Sequence, residues 1–278
     1  MPLDRIGREG FLKLEFVRRR DHTILTRRRC THPLQALAPF RGPDGSLCMM
    51  MLNPSGGMVG GDMLRAEIDI GENAAAVLIT ASAAKVYRTV GPAAVQETTI
   101  RLGSGAAIEY IPDHLIPHPG AVCHQSLRVE MAPGSRAIIY DAIAAGRVGR
   151  GESWRFKELR SEIVIMRGSR PLYINRSRIV PARLHPAQRG LAENFNYLAT
   201  VIVADDTRSD WPDLVSEFDD ALNGAPGSIG GASALGSGGC VARLMSNAAS
   251  DQTRLVNELW RIARRRLLKL EPFSVRKF

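Results

Sequence analysis

Leu64-Arg65-Ala66-Glu67-Ile68-Asp69-Ile70-Gly71, running on into Ala76-Val77-Leu78-Ile79, is the stretch on which the fold turns. Apolar side chains at every second position from Leu64 to Ile70 have the period of a half-buried strand, and the apolar run after the glycine reads as another. The same order of strand, Gly-centred turn and strand recurs as Ile100-Arg101-Leu102-Gly103 into Ile108-Glu109-Tyr110-Ile111. It recurs again as Val129-Glu130-Met131-Ala132 into Ile138-Ile139-Tyr140. The starts at Ile68, Ile100 and Val129 lie about 30 residues apart, a period at which stacked β-layers bury one continuous core. Three hairpins of an ordinary sandwich also give that spacing, but one register repeated three times favours layers.

Just upstream stands Asn53-Pro54-Ser55-Gly56-Gly57-Met58-Val59-Gly60-Gly61-Asp62, four glycines in six residues closed by a carboxylate. Two Gly-Gly pairs predict two tight turns, or a backbone that another surface approaches closely. A phosphate cradle needs a helix N-terminus directly after the glycines, and a strand follows instead. Further upstream, Phe11-Leu12-Lys13-Leu14-Glu15-Phe16 reads as an edge or half-exposed strand.

Downstream, Glu162-Ile163-Val164-Ile165-Met166 and Pro171-Leu172-Tyr173-Ile174 flank Arg167-Gly168-Ser169-Arg170 as a β-hairpin. Pro212 to Leu222 reads as a short helix ended by Asn223-Gly224. Gly224 to Gly239, rich in Gly, Ser and Ala, is expected to be a mobile connector. A last helix is predicted from about Asp251 to Leu270, with Val256, Leu259, Trp260, Ala263, Leu267 and Leu270 on one stripe. Arg261, Arg264, Arg265, Arg266 and Lys269 crowd its end and are expected to form a solvated basic face. The fold class is therefore mainly β, layered and helix-like (solenoid-like), with a few helices in the C-terminal quarter. One domain spans 1–278, its β core covering about 10–205 and its helical part about 206–278.

The 278 residues, 45% of them apolar, suffice for one large core without staples. The net charge of +9 rests on arginine, since Lys13, Lys85, Lys157, Lys269 and Lys277 are the only lysines. Such a balance favours acidic partners of any kind. Cys30, Cys48, Cys123 and Cys240 are scattered, and Met1-Pro2-Leu3-Asp4-Arg5 opens no secretory segment, which reads as a reduced, cytoplasmic protein. No apolar run has the ~18 residues of a membrane-spanning helix.

Three places invite a chemical reading. Asp113-His114-Leu115-Ile116-Pro117-His118-Pro119-Gly120-Ala121-Val122-Cys123-His124 holds half of the six histidines. His114 and His118 have i, i+4 spacing, but Pro112, Pro117 and Pro119 forbid the helix that would pair them, so surface histidines on a loop are expected. Ser82-Ala83-Ala84-Lys85 matches the S-x-x-K of penicillin-recognising hydrolases, yet no lysine precedes Thr-Gly and the lead-in is a strand, not a helix. Lys85, Tyr87 and Arg88 form a polar cluster for which Asp62 is a natural carboxylate partner in a layered fold.

Taken in order, these residues resemble the family of urease accessory proteins called UreD, or UreH. Gly10-Phe11-Leu12-Lys13-Leu14-Glu15-Phe16 looks like its opening strand, and Met51 to Asp62 like its L-x-P-x-G-G-x-x-G-G-D signature. Thr80, Lys85, Tyr87 and Arg88 fall on a T-x-x-x-x-K-x-Y-R block, followed by Gly91-Pro92-Ala93 and later by Gly146-Arg147. Members often carry Gln-Glu where this chain has Asp113-His114, and Trp-Glu near its Tyr140-Asp141; both changes leave an acid nearby. The region beyond about Pro181 matches only loosely.

The resemblance implies a non-catalytic maturation factor that works with UreF and the GTPase UreG on apo-urease. Nickel would be a transient cargo, with no cofactor held permanently and neither nucleic acid nor membrane as a partner. Asp62 and Asp141 are expected to line a nickel path, above a backbone set by Gly56, Gly57, Gly60 and Gly61. The rival reading is a basic nucleic-acid-binding protein, motivated by Arg18-Arg19-Arg20, Arg27-Arg28-Arg29 and the last helix.

Overall fold

The alternation that opens the chain's repeat folds into the strand Met63–Ile70, which buries Leu64, Ala66, Ile68 and Ile70 and turns Met63 and Arg65 outward. The computed structural model describes residues 7–42, 44–236, 238–271 and 273; the reading of Met1 to Arg5 lies outside them. Parallel pairing sets Ile68 beside Ile100, Ile100 beside Val129 and Val129 beside Ile165. All four are buried, so the three starts read from the sequence stand in register on one rail of a solenoid. Each coil hangs on the last: Gly103 N–H donates to the Ile70 carbonyl at 2.8 Å, where an added Cβ would stand 2.8 Å from the Glu72 nitrogen.

Successive coils build two sheets. The first runs, in spatial order, Arg170–Ile179, Glu158–Arg167, Val122–Met131, Ala94–Leu102, Met63–Ile70, Glu9–Arg19 and His22–Thr31. The second has Leu47–Leu52, Ala75–Thr80, Ala107–Ile111 and Arg136–Ala144 in parallel at its heart. Tyr197–Asp205, Gly239–Ser246 and Ser228–Leu235 extend it antiparallel. Leu14, Phe16, Ile68, Leu78, Ile108 and Ile139 belong to the core between the sheets. The hairpin around Gly168 forms as expected, Glu158–Arg167 pairing antiparallel with Arg170–Ile179.

A second apolar layer lies outside the second sheet. Helix α1 (Trp211–Asn223) buries Trp211, Leu214, Phe218 and Leu222, and helix α2 (Ala249–Ala263) buries Leu255, Val256, Leu259 and Trp260. Both cluster with Ile138, Val201 and Leu244 of that sheet. A wide turn, Arg264–Leu268, continues α2.

Three expectations need correction. The segment 224–239 is no mobile connector, because Ser228–Leu235 is a strand of the second sheet. Close packing requires the glycine at 230: a Cβ on Gly230 would stand 2.7 Å from the Arg243 carbonyl and 3.0 Å from Leu222 of α1. Arg264 is not on a solvated basic face but fully buried. His114, expected on the surface, is only 7% exposed, since Leu115–Pro117 joins the second sheet and draws it inward. No helix among the described residues is long and apolar enough to cross a membrane.

Candidate functional site

The doubled-glycine corner is fastened to the block that follows the first coil. Met58 N–H donates to the Lys85 carbonyl and Tyr87 N–H to the Met58 carbonyl, both at 2.8 Å, while the Tyr87 hydroxyl donates to the Gly56 carbonyl at 3.2 Å. Of the four glycines, Gly56 and Gly61 adopt positive φ, +81° and +85°. Gly57 and Gly60 are required by close approach instead: an added Cβ would meet Lys85 O or Val90 O at 2.8 Å. Asp62 closes the turn by accepting the Val59 N–H at 2.8 Å, and its residue is 6% exposed. No ion pair joins it to Lys85 or Arg88 among the described residues, so the expected carboxylate partnership does not form; its oxygen is spent on the turn.

Behind this corner the core is not wholly apolar. Period-2 alternation puts Ala94, Gln96, Thr98, Ile100 and Leu102 on the inner side of one strand, and Cys123, Gln125, Leu127 and Val129 on that of its neighbour. Pairing then stacks Gln96 beside Gln125 and Gln125 beside Ser161. Gln125 Nε2 donates to Asp141 Oδ1 at 3.1 Å and to Ser161 Oγ at 2.9 Å. The Thr80 hydroxyl accepts the Asp113 N–H at 2.7 Å. Burial pushes the Asp141 carboxyl up to about 6, opposed by the Gln125 hydrogen bond, and Tyr110 up to about 12.

These side chains wall three adjoining hollows. One of about 100 Å³ lies under the corner, lined by Gly56, Gly57, Ser82, Lys85 and Thr80. Thr80, Gln96, Thr98 and Tyr110 are shared with an inner one of about 60 Å³, which adds Asp141, Gln125 and Ser161. Asp113 is shared in turn with a cleft of about 320 Å³ beneath α2. There Asp113 Oδ1 accepts from both the His114 N–H and Nδ1 at 2.8 Å, and His114 Nε2 meets Gln252 Oε1 of α2. Asp141 thus stands midway along a polar seam from the corner to the helix, whereas Asp62 lines none of the three. The two acids expected together are apart.

Among the described residues no three His, Cys, Asp or Glu side chains converge as a ready metal site. Nor does a hydrogen bond join Ser82 to Lys85 among them. Of the residues singled out in the sequence, Gly56, Gly57, Thr80 and Lys85 meet around the outer hollow, and Tyr87 braces it. Arg88 lies apart, packed over Gly120, where a Cβ would meet its Cγ at 3.2 Å. Gln96, Gln125 and Ser161 escaped notice, though the alternation of their strands puts each on the apolar side.

The family model described as UreD urease accessory protein matches residues 8–277. The chain belongs to the UreD family. Among its relatives is Urease accessory protein UreD of Alkalilimnicola ehrlichii, 32% identical over 96% of this chain and 89% of that protein. The proteins of that name from Deinococcus radiodurans and Paenarthrobacter aurescens are each 31% identical, over 87% and 97% of this chain and 84% and 95% of their own lengths. UreD membership gives the chain a role in urease maturation and points away from catalysis. It also extends beyond Pro181, where the motifs alone matched loosely, to cover both helices.

Proposed function

We propose that this UreD-family chain is a non-catalytic scaffold that, with UreF and the GTPase UreG, engages apo-urease and passes nickel toward its active site along the polar seam. The observation that carries the reading is Asp141, a carboxylate set among Gln125, Ser161 and Thr80 in a polar seam within the solenoid. Oxygen donors of this kind hold a divalent ion loosely, whereas a closed Cys/His cage would retain it. The hollow around Asp141 has room for a few water molecules, so an ion need not shed its whole hydration shell. Asp62 serves in this reading by holding the corner, through the Val59 amide, and not as a ligand.

The test matures urease with an Asp141→Ala protein and measures nickel per urease active site, while co-purification reports whether UreF and UreG still assemble with it. Assembly with nickel content reduced severalfold is expected. Full nickel content removes Asp141 from the path, and failure of the unmodified chain to co-purify with either partner removes the scaffold.

A further inference from the structure

The first sheet ends in a strand whose outer edge takes no further strand among the described residues, and of its backbone groups the Thr31 carbonyl accepts the Leu34 N–H at 3.1 Å. His22–Thr31 pairs with Glu9–Arg19 on one side and with no strand on the other among the described residues. An antiparallel edge presents alternate N–H and C=O groups outward, ready to pair with another extended chain. Beside this edge runs an open groove of about 480 Å³, with Leu25 and Leu47 on its floor and Arg27, Arg28 and Arg41 around it. Leu37 and Phe40, on the chain that forms its far wall, are 42% and 46% exposed.

The charge here is unbalanced. Elsewhere on the first sheet most arginines are matched: Arg65 with Glu97, Arg101 with Asp69 and Glu130, Arg176 with Glu162, Arg160 and Arg178 with Glu158. Around the groove only Arg27 has an acid, Glu15 at 3.3 Å; Arg28 donates to the Ala36 carbonyl, and Arg41 has no carboxylate within 4.0 Å among the described residues. Arg18 and Arg19 at the end of the neighbouring strand and Arg20 in the turn add to the positive field, against the single acid Asp21 of that turn. Arginines on an edge repel a second copy of a chain that carries +9, and the same field draws in an acidic one.

We propose that this groove docks an extended acidic segment of a partner protein, added as a further strand to the edge His22–Thr31. Backbone pairing supplies the register, the floor takes the apolar side chains of an alternating sequence, and the arginines take its carboxylates. A phosphodiester chain has no use for the edge amides in register or for a floor of leucines.

The probe is a short capped peptide alternating Glu with Val and Thr, labelled and titrated by fluorescence anisotropy against the intact protein. Saturable binding is expected, weakened roughly tenfold or more by the exposed pair Arg27→Glu, Arg28→Glu and by Arg41→Glu separately. Far-UV circular dichroism matching the unmodified protein shows that each variant folds. N-methylation of every second amide of the peptide, which keeps its charge and removes its pairing, is expected to abolish binding. Equal binding of the methylated peptide overturns strand addition, and undiminished binding by both arginine variants overturns the site. Displacement of the peptide by a single-stranded oligonucleotide that itself binds more tightly assigns the groove to nucleic acid and overturns the proposal.

Discussion

Asp141 is held where a negative charge is poorly solvated. Its carboxyl, raised from 3.8 to about 6 chiefly by burial, keeps a proton in the folded protein over a range in which the unfolded chain has released it. Stability therefore falls as pH rises from about 4 to about 6, on the order of 3 kcal/mol for a shift of this size. Asp141→Asn, of the same shape, is expected to melt near the unmodified protein at pH 4 and above it at pH 8; equal melting temperatures at pH 8 would deny the penalty. The proposed passage of nickel would account for a carboxylate kept at such a cost. At this scale the sequence was half legible. Thr80 and Lys85 stood in a recognisable block, but Gln96, Gln125 and Ser161 are single polar residues in apolar alternations. Only pairing across strands brings them into one layer with Asp141.

Helix α2 is fixed by more than its apolar stripe. The fully buried Arg264, just past its end, donates to Glu109 at 2.5 Å and to Asp44, while the indole of Trp260 donates to the other Glu109 oxygen at 2.5 Å. Burial pushes Glu109 up, to about 7, and Arg264 down, to about 10, so each charge depends on the other. Arg264→Met leaves Glu109 buried without its cation and is expected to cost about 3–5 kcal/mol at pH 8. At pH 5 the loss should be clearly smaller, because Glu109 then takes up a proton and becomes neutral. Denaturant unfolding at the two pH values checks this, and an equal loss at both rejects the argument. The helix itself was readable from its 3.6-residue stripe. The fate of Arg264 was not, since a cationic residue at a helix end looks solvated until Asp44 and Glu109 are seen beneath it. Likewise the strand Ser228–Leu235 was hidden by a composition that reads as loop, although its Gly230 is needed for the fit under α1.

For the molecule as a whole, the second sheet is shared property: its inner face closes the solenoid core and its outer face receives both helices. The two layers should therefore unfold together. Trp211 and Trp260 belong to the helical layer and Trp154 to a third cluster at the short strands, so no tryptophan lies in the solenoid core. Tryptophan emission should thus report the outer layers and far-UV circular dichroism mainly the sheets, with coincident midpoints in denaturant expected. An earlier emission transition would mean that the helices dock on a solenoid able to stand alone. The repeat that places these layers was the most legible feature of the chain, because parallel stacking demands the same inward pattern at every coil and so writes it three times.

Arg264 lies 155 residues after Glu109 and 220 after Asp44. A ribosome will have finished the coil containing Glu109 long before it supplies the guanidinium which that carboxylate needs. Until then the emerging solenoid carries an acid under what will become a greasy lid, and is best served by leaving that flank wet. Arrival of Arg264, and not closure of the last coil, is thus the moment at which this flank becomes dry, and a nascent chain halted shortly before Arg264 would be a natural client for a holding chaperone.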